Sequence, residues 1–326
     1  MLQILLVTFP FFALVLAGYV AARRQYLPIA AIPGLNGFVL YFALPCMLYR
    51  FGSSTPIAQL LDSAVFGVYL LCALVMVAFA ICMTLSQRID WNNASFGALV
   101  AAFPNTGFMG IPLLVALLGP RAAGPAIVTI VVDLVITSSL CIALSRLGSG
   151  PTGDKSSAGL AAKNALKGVA SNPMPWAILT GALASWLQIK LPAPVMQTIS
   201  LLADSASPVA LFTIGAVLAR SQMMASAGHA PAVPAMDYVP LALMKLILHP
   251  LLVLLVGSAA ISLGLPLDPF ALTVIVLVAA LPSASNVSLL AEKFEANNGR
   301  IARIILVSTV LAFFSFAGAV ALIAPR

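Results

Sequence analysis

Charged side chains are scarce in this sequence. Asp, Glu, Lys and Arg make up 8% of its 326 residues, against 62% hydrophobic, and mean hydropathy is +1.09. Water-soluble domains carry roughly 25% charged residues, so the composition excludes them and describes an integral membrane protein. Histidine is nearly missing: His229 and His249 are the only two. Nine acidic residues in the whole chain argue against a dedicated cage for a hard metal ion. The four cysteines (Cys46, Cys72, Cys82, Cys141) lie inside apolar runs with no Cys-x-x-Cys pair or Cys/His cluster, and read as small buried hydrophobes. No Walker loop, His-Glu-x-x-His or nucleophile elbow occurs, so no enzyme chemistry and no cofactor is expected. The net charge of +7 invites nucleic acid, yet the basic residues sit between apolar runs rather than in a stripe interleaved with aromatics. No nucleic-acid partner is expected.

What the chain does have is a succession of apolar runs. A helix needs about 20 apolar residues to cross a bilayer, with a range of roughly 17–25. Ten runs qualify: 4–22, 32–50, 64–86, 94–118 and 122–145, then 173–190, 199–219, 239–263, 270–293 and 301–323. The fold class expected is therefore all-α and integral to the membrane, with ten transmembrane helices. The first run ends in small residues, as a signal peptide does, but Arg23-Arg24 follow it rather than precede it. It reads as a first spanning helix. Between the halves, Gly148-Ser149-Gly150-Pro151-Thr152-Gly153 and scattered lysines have linker composition. The chain divides into a first repeat at 1–146, a cytoplasmic linker at 147–172 and a second repeat at 173–326. Another polar, Ala/Pro-rich loop is expected over 221–237.

Orientation follows from the basic residues. Loops after segments 1, 3, 5, 7 and 9 carry eleven: Arg23, Arg24, Arg88, Arg146, Lys155, Lys163, Lys167, Arg220, Lys293, Arg300 and Arg303. The other side carries four, Arg50, Arg121, Lys190 and Arg326. The positive-inside rule puts both termini outside the cytoplasm. The halves also resemble each other. Pro10 and Gly18 match Pro173 and Gly181 at an offset of 163, and Leu44-Pro45 through Leu48-Tyr49 resembles Ser207-Pro208 through Leu211-Phe212 at the same offset. Ala101-Ala102-Phe103-Pro104-Asn105 is nearly repeated as Ala279-Ala280-Leu281-Pro282-Ser283, 178 residues on, and the 221–237 loop absorbs the difference. Five spans per half is an odd number, so the second half enters the membrane upside down.

Those near-copies are breaks in membrane-length segments 4 and 9. A proline there frees backbone polar groups that hydrocarbon cannot satisfy, which is tolerated only inside protein or beside a polar cavity. Matching breaks in two halves point to a secondary transporter's binding site. Segment 4 carries Pro104, Asn105, Thr106, Gly107, Gly110 and Pro112, an unwound stretch whose half-helix N-terminus offers N–H groups to an anion. Asn105 adds two donors and an acceptor. Segment 9 supplies Pro282, Ser283, Ser285 and Asn286. Taken singly, each break also reads as a packing kink. Embedded charges form a second group. Asp133 in segment 5 and Lys245 in segment 8 each cost roughly 2.5–3.5 kcal/mol at a helix centre, so each is expected to face the bundle interior. His249 lies one turn beyond Lys245. These read either as substrate counter-charge (Lys245) and proton or cation relay (Asp133), or as a structural ion pair, or, for Lys245, as a snorkelling side chain. Asp204, with Ser205, Ser207 and Pro208, is expected to open a broken stretch in segment 7; it reads either as a cation or proton ligand or, close to the interface, as a solvated acid.

These residues carry a resemblance to the auxin efflux carrier family, which includes bacterial members described as malonate or malate transporters. It rests on Leu35-Asn36-Gly37-Phe38-Val39-Leu40-Tyr41 with Pro45, and on Pro104-Asn105-Thr106-Gly107-Phe108-Met109-Gly110-Ile111-Pro112. It rests also on Pro208-Val209-Ala210-Leu211-Phe212 with Gly215, Lys245 with Pro250, and Pro282-Ser283-Ala284 with Asn286. The resemblance implies two inverted five-helix repeats, a scaffold and a transport bundle, and helices 4 and 9 crossing at their unwound centres. It implies carriage of small organic anions by elevator-like alternating access. Asn105 would contact the substrate carboxylate, with Ser283, Ser285 and Asn286 approaching from segment 9. The short central loop resembles the bacterial branch rather than the plant auxin carriers.

The expectation is a bacterial inner-membrane carrier of small carboxylates such as malonate or malate. Its other partners are the lipid bilayer and protons as coupling ion, with a homodimer left open. One rival shares the architecture but exchanges sodium or another cation for protons through Asp133 or Asp204. Segments 4 and 9 carry no acid beside the breaks except Glu292 at the end. Another rival is a membrane sensor that binds a ligand without moving it.

Overall fold

The computed structural model describes residues 2–60, 62–147, 173–226 and 233–323. The 147–172 linker lies, apart from its first residue, outside the described residues, as does His229. Twelve helices carry the described chain: α1 Leu2–Arg23, α2 Ile29–Ser54, α3 Ser63–Thr84, α4 Trp91–Ala102, α5 Thr106–Leu118, α6 Pro120–Leu144, α7 Pro173–Trp186, α8 Ala193–Ser226, α9 Val239–Ser262, α10 Pro269–Ala279, α11 Asn286–Lys293 and α12 Asn298–Ile323. Seven (α1, α2, α3, α6, α8, α9 and α12) contain stretches long and apolar enough to cross a membrane. The other expected spans are shorter. Segment 4 is the pair α4 and α5, segment 9 the pair α10 and α11, and α7 has 14 residues. Large apolar side chains such as Phe9, Phe79, Leu255 and Phe314 project from the outer faces. A lipid-facing surface has that character.

Several helices are locally widened, and the sequence explains where. Five-residue π-helical turns occupy Val39–Ala43, Thr106–Gly110 and Met244–Leu248. Each ends two residues before a proline: Pro45, Pro112 and Pro250. A proline ring clashes with the carbonyl four residues back, here that of Tyr41, Phe108 or Leu246, and widening the preceding turn relieves the clash. The π-helical turn Val132–Thr137 has no such proline. There the hydroxyls intervene: Ser138 donates to the Asp133 carbonyl at 2.8 Å and Thr137 to the Val132 carbonyl at 3.4 Å. Both bonds reach five residues back and hold the widened turn open.

The helices form two packing groups. In one, α1 lies along α8, α7 along α2, and α8 also against α2. In the other, α3, α4, α6, α9, α10 and α12 surround one another, with α4 and α10 deepest. Close approach in the first group depends on glycine. A Cβ at Gly18 would stand 1.8 Å from the Phe212 carbonyl oxygen, and one at Gly215 1.8 Å from that of Val15. In the α7/α2 contact a Cβ at Gly181 would stand 2.7 Å from the Tyr49 carbonyl oxygen, opposite Gly52. Small residues of this kind let membrane helices pack backbone to backbone. Gly18 and Gly181, like Gly52 and Gly215, are related by the repeat offset of 163. The glycines of one crossing thus stand at the same offset from those of the other.

Three expectations need correction. Segment 7 is not broken: α8 runs unbroken from Ala193 to Ser226 through Pro208. The expected loop over 221–237 begins later, because α8 continues and bonds back to α1, where the Tyr19 hydroxyl meets the Gln222 amide oxygen. Of the cysteines, Cys72 and Cys141 are buried and Cys46 partly so, but Cys82 is exposed on the outer face of α3.

Candidate functional site

The two breaks meet. Pro104 and Ser283 form an isolated antiparallel bridge. The Asn105 N–H donates to the Pro282 carbonyl at 2.8 Å, and the Ala284 N–H to the Phe103 carbonyl at 2.9 Å. Pro104 and Ser283 are thus a pair flanked by hydrogen bonds rather than joined by them. Neither proline needs an N–H: Pro104 sits at the non-bonded position, and Pro282 contributes only its carbonyl. Each break satisfies the other's backbone, which an apolar interior demands. The unwound part of segment 4 is short, residues 103–105, because Thr106–Gly110 winds at once into a π-helical turn. Asn105 lends that turn its carbonyl, which accepts from the Met109 and Gly110 N–H groups at 3.1 and 2.9 Å.

Polar groups are left over at this crossing. Asn105 is 4% exposed and its carboxamide makes no hydrogen bond among the described residues. The Ser283 hydroxyl and the Asn286 carbonyl oxygen are likewise buried without a partner. Buried polar atoms normally find partners, so the two unpaired ones beside the Asn105 carboxamide call for a ligand or water. Asn105 lines a small cleft together with Pro104, Gly107, Phe108 and Asn286. The first turns of α5 and α11 both open at the crossing, so their N-terminal dipoles favour negative charge there. No carboxylate lines the pocket among the described residues.

The embedded charges form a separate buried cluster against the same break. Lys245 is fully buried and donates at 2.5 Å to the carbonyl of Ala279, the last residue of α10. A cation at a helix C-terminus complements its dipole and caps an orphaned carbonyl. Its ammonium also stands 3.2 Å from His249 Nδ1, and the His249 ring lies 5.9 Å from that of Tyr69. The Tyr69 hydroxyl donates to Asp133 at 2.9 Å, and the Thr137 hydroxyl to the other carboxylate oxygen at 3.2 Å. Lys245 is therefore not a snorkelling side chain. It makes no contact ion pair with Asp133; the ion pairs among the described residues are Arg50–Asp204, Arg88–Asp237 and Arg121–Asp268.

The expected site residues thus divide. Pro104, Asn105, Pro282 and Ser283 form the crossing itself. Gly107 and Asn286 line its pocket, and Ser285 precedes the first turn of α11. Thr106 is buried and turned inward, its N–H donating to the Pro104 carbonyl at 2.8 Å. Asp133, Lys245 and His249 lie behind the crossing. Asp204 is elsewhere: its side chain is 67% exposed and pairs with Arg50 at 2.7 Å. Sequence reasoning missed Tyr69, which looks like any aromatic in an apolar run. It also missed Ser308, whose hydroxyl accepts from the Ser283 N–H at 3.2 Å.

Comparison with known proteins places the chain in a family. The profile of the family described as "Membrane transport protein" matches residues 4–320. The "Putative malonate transporter" of Rhizobium meliloti (strain 1021) is 30% identical over 322 residues, covering 96% of this chain and 94% of that protein. The "Uncharacterized transporter YfdV" of Escherichia coli (strain K12) is 28% identical over 295 residues, 88% of this chain and 87% of its own. The rice (Oryza sativa subsp. japonica) "Auxin efflux carrier component 3a" is 30% identical over 116 residues, 34% of this chain and 18% of that one. A multi-pass apolar bundle with two crossed breaks, matched from one end to the other by a single family profile, is a member of the membrane transport protein family of the auxin efflux carriers.

Proposed function

We propose that this protein is a secondary active carrier of small carboxylates, of the malonate or malate type, in a bacterial inner membrane. One observation carries the reading. Asn105 offers a buried, unpaired carboxamide at the point where two half-helices open their N-termini and no acid is present. That arrangement stabilises an anion and repels nothing in it, whereas a cation carrier needs carboxylates beside the break. Asn105 would hold the carboxylate, with the Ser283 hydroxyl and the Asn286 amide completing its shell.

The architecture we infer is ten spans in two inverted five-helix repeats. The paired glycine crossings at one offset, and the mutual bonding of the two breaks, support it. The α1, α2, α7 and α8 group would be the scaffold and the α3–α6 and α9–α12 group the moving part, in an elevator-type exchange. With the basic loops facing the cytoplasm, both termini lie outside it. The cluster of Asp133, Tyr69, His249 and Lys245 is assigned to coupling, because it joins two π-helical turns to the carbonyl that ends α10. Protons are the ion its chemistry suits.

Reconstitution in proteoliposomes tests this reading. Labelled malonate should accumulate in counterflow and respond to an imposed pH gradient, and Asn105→Ala should abolish uptake without lowering expression. Full uptake by that variant, or sodium-driven proton movement without malonate flux, would sink it.

A further inference from the structure

Beyond the crossing lies a second small cleft, lined by Asn36, Phe108, Arg220, Ser285, Asn286 and Ser288 among others. Phe108 and Asn286 line both pockets, so the two adjoin across them. From α8 the second pocket takes Ile214, Val217 and Arg220, three residues apart and so on one face of the helix. Arg220 attracts notice by what it lacks. Four described arginines are not exposed: Arg50, Arg220, Arg300 and Arg303. Arg50 pairs with Asp204, Arg300 donates to the Asp237 and Asn93 carbonyls, and Arg303 to the Val233 carbonyl. Arg220 has no hydrogen bond or ion pair among the described residues, and no carboxylate lines its pocket. A guanidinium carries five donors in a fixed fork shaped for a carboxylate, and is permanently charged.

We propose that Arg220 binds the second carboxylate of a dicarboxylate whose first is held at Asn105, and so makes the site selective for dianions over monoanions. The proposal rests on the carboxylate-carrier reading. It adds to that reading a residue which sequence analysis had counted only as a topological charge. Asn36 and the α11 opening at Ser285 supply further neutral donors around the same pocket.

The test is reconstituted uptake of labelled malonate, with unlabelled malonate, succinate, acetate and propionate as competitors. Binding of the same acids to the purified protein is followed by thermal shift. For Arg220→Met, KM for malonate should rise at least tenfold while inhibition by acetate and propionate stays within twofold. Arg220→Lys keeps the charge and loses the fork, so its malonate KM should rise about threefold or more with kcat retained. A malonate KM unchanged in both variants, or mono- and dicarboxylates weakened in parallel, overturns the assignment and leaves the carrier reading standing. If Arg220→Met does not fold, the lysine variant alone decides. A wild-type protein that neither binds nor moves any of the four acids overturns the carrier reading and this assignment with it.

Discussion

The two breaks began as near-identical sequence and ended as different structures. Segment 4 is interrupted for residues 103–105 only, then recovers through a π-helical turn built on the Asn105 carbonyl. Segment 9 stays open from residue 280 to 285 and resumes as the eight-residue α11. Outside helpers hold it there: Lys245 caps the carbonyl of Ala279, and Ser308 accepts from the Ser283 N–H. A strict internal two-fold would make Asn105 and Ser283 equivalent donors. Instead the Asn105 N–H bonds across to segment 9, while the Ser283 N–H turns away to α12. One arm is self-supporting and presents the free carboxamide. The other depends on its neighbours and presents a hydroxyl and an amide oxygen. Two similar sequences thus give two differently supported breaks.

That contrast can be broken by mutation. The largest effect is expected at Asn105, whose replacement by Ala should cut malonate uptake at least a hundredfold, with the protein still folded by size-exclusion chromatography. Asn286→Ala on the other arm should cost about tenfold, because Asn286 shares the ligand with Asn105; equal losses would show the arms to be equivalent. Lys245→Met should act on stability. It removes a hydrogen bond from a charged group, which is worth roughly 1.5–3 kcal/mol, and leaves the Ala279 carbonyl unpaired in an apolar interior. A melting temperature several degrees lower in detergent, with residual uptake, is the expected result. Ser308→Ala should be mildest, about 1 kcal/mol for one neutral bond, with malonate KM within threefold of wild type. A larger loss than for Lys245→Met would mean that the open arm is held from α12 rather than from α9.

Much of the fold was legible in the chain. Apolar length located most segments to within a few residues, though the helix of segment 7 extends six and seven residues beyond the expected 199–219, and the duplicated prolines located the crossing. The error at segment 7 is instructive. Pro208 there looks like Pro104 and Pro282, but it is preceded by no Phe-Pro-Asn or Leu-Pro-Ser counterpart to bond with, and α8 carries it without a break. A proline marks a freed backbone group; only a partner across the bundle decides whether the helix opens. Of the two readings of Asp204, the solvated acid fits its exposure, while its partner Arg50, 154 residues away, left no local sign. Tyr69, Ser308 and the charge-free surroundings of Arg220 were invisible because a phenol, a hydroxyl or an arginine in an apolar run has no local signature.

The sequence by itself determined that this chain lives in a bilayer, how many apolar runs it has, and which of them carry a proline that can interrupt them. Those follow from composition, length and proline chemistry, which are local. Only the tertiary structure decided that the interruptions bond to each other with both prolines at positions needing no donor. It also decided that Asn105 is left unpaired and that Lys245 ends on a helix terminus. These depend on contacts between residues more than a hundred positions apart, or on separate helices, and no local pattern encodes them.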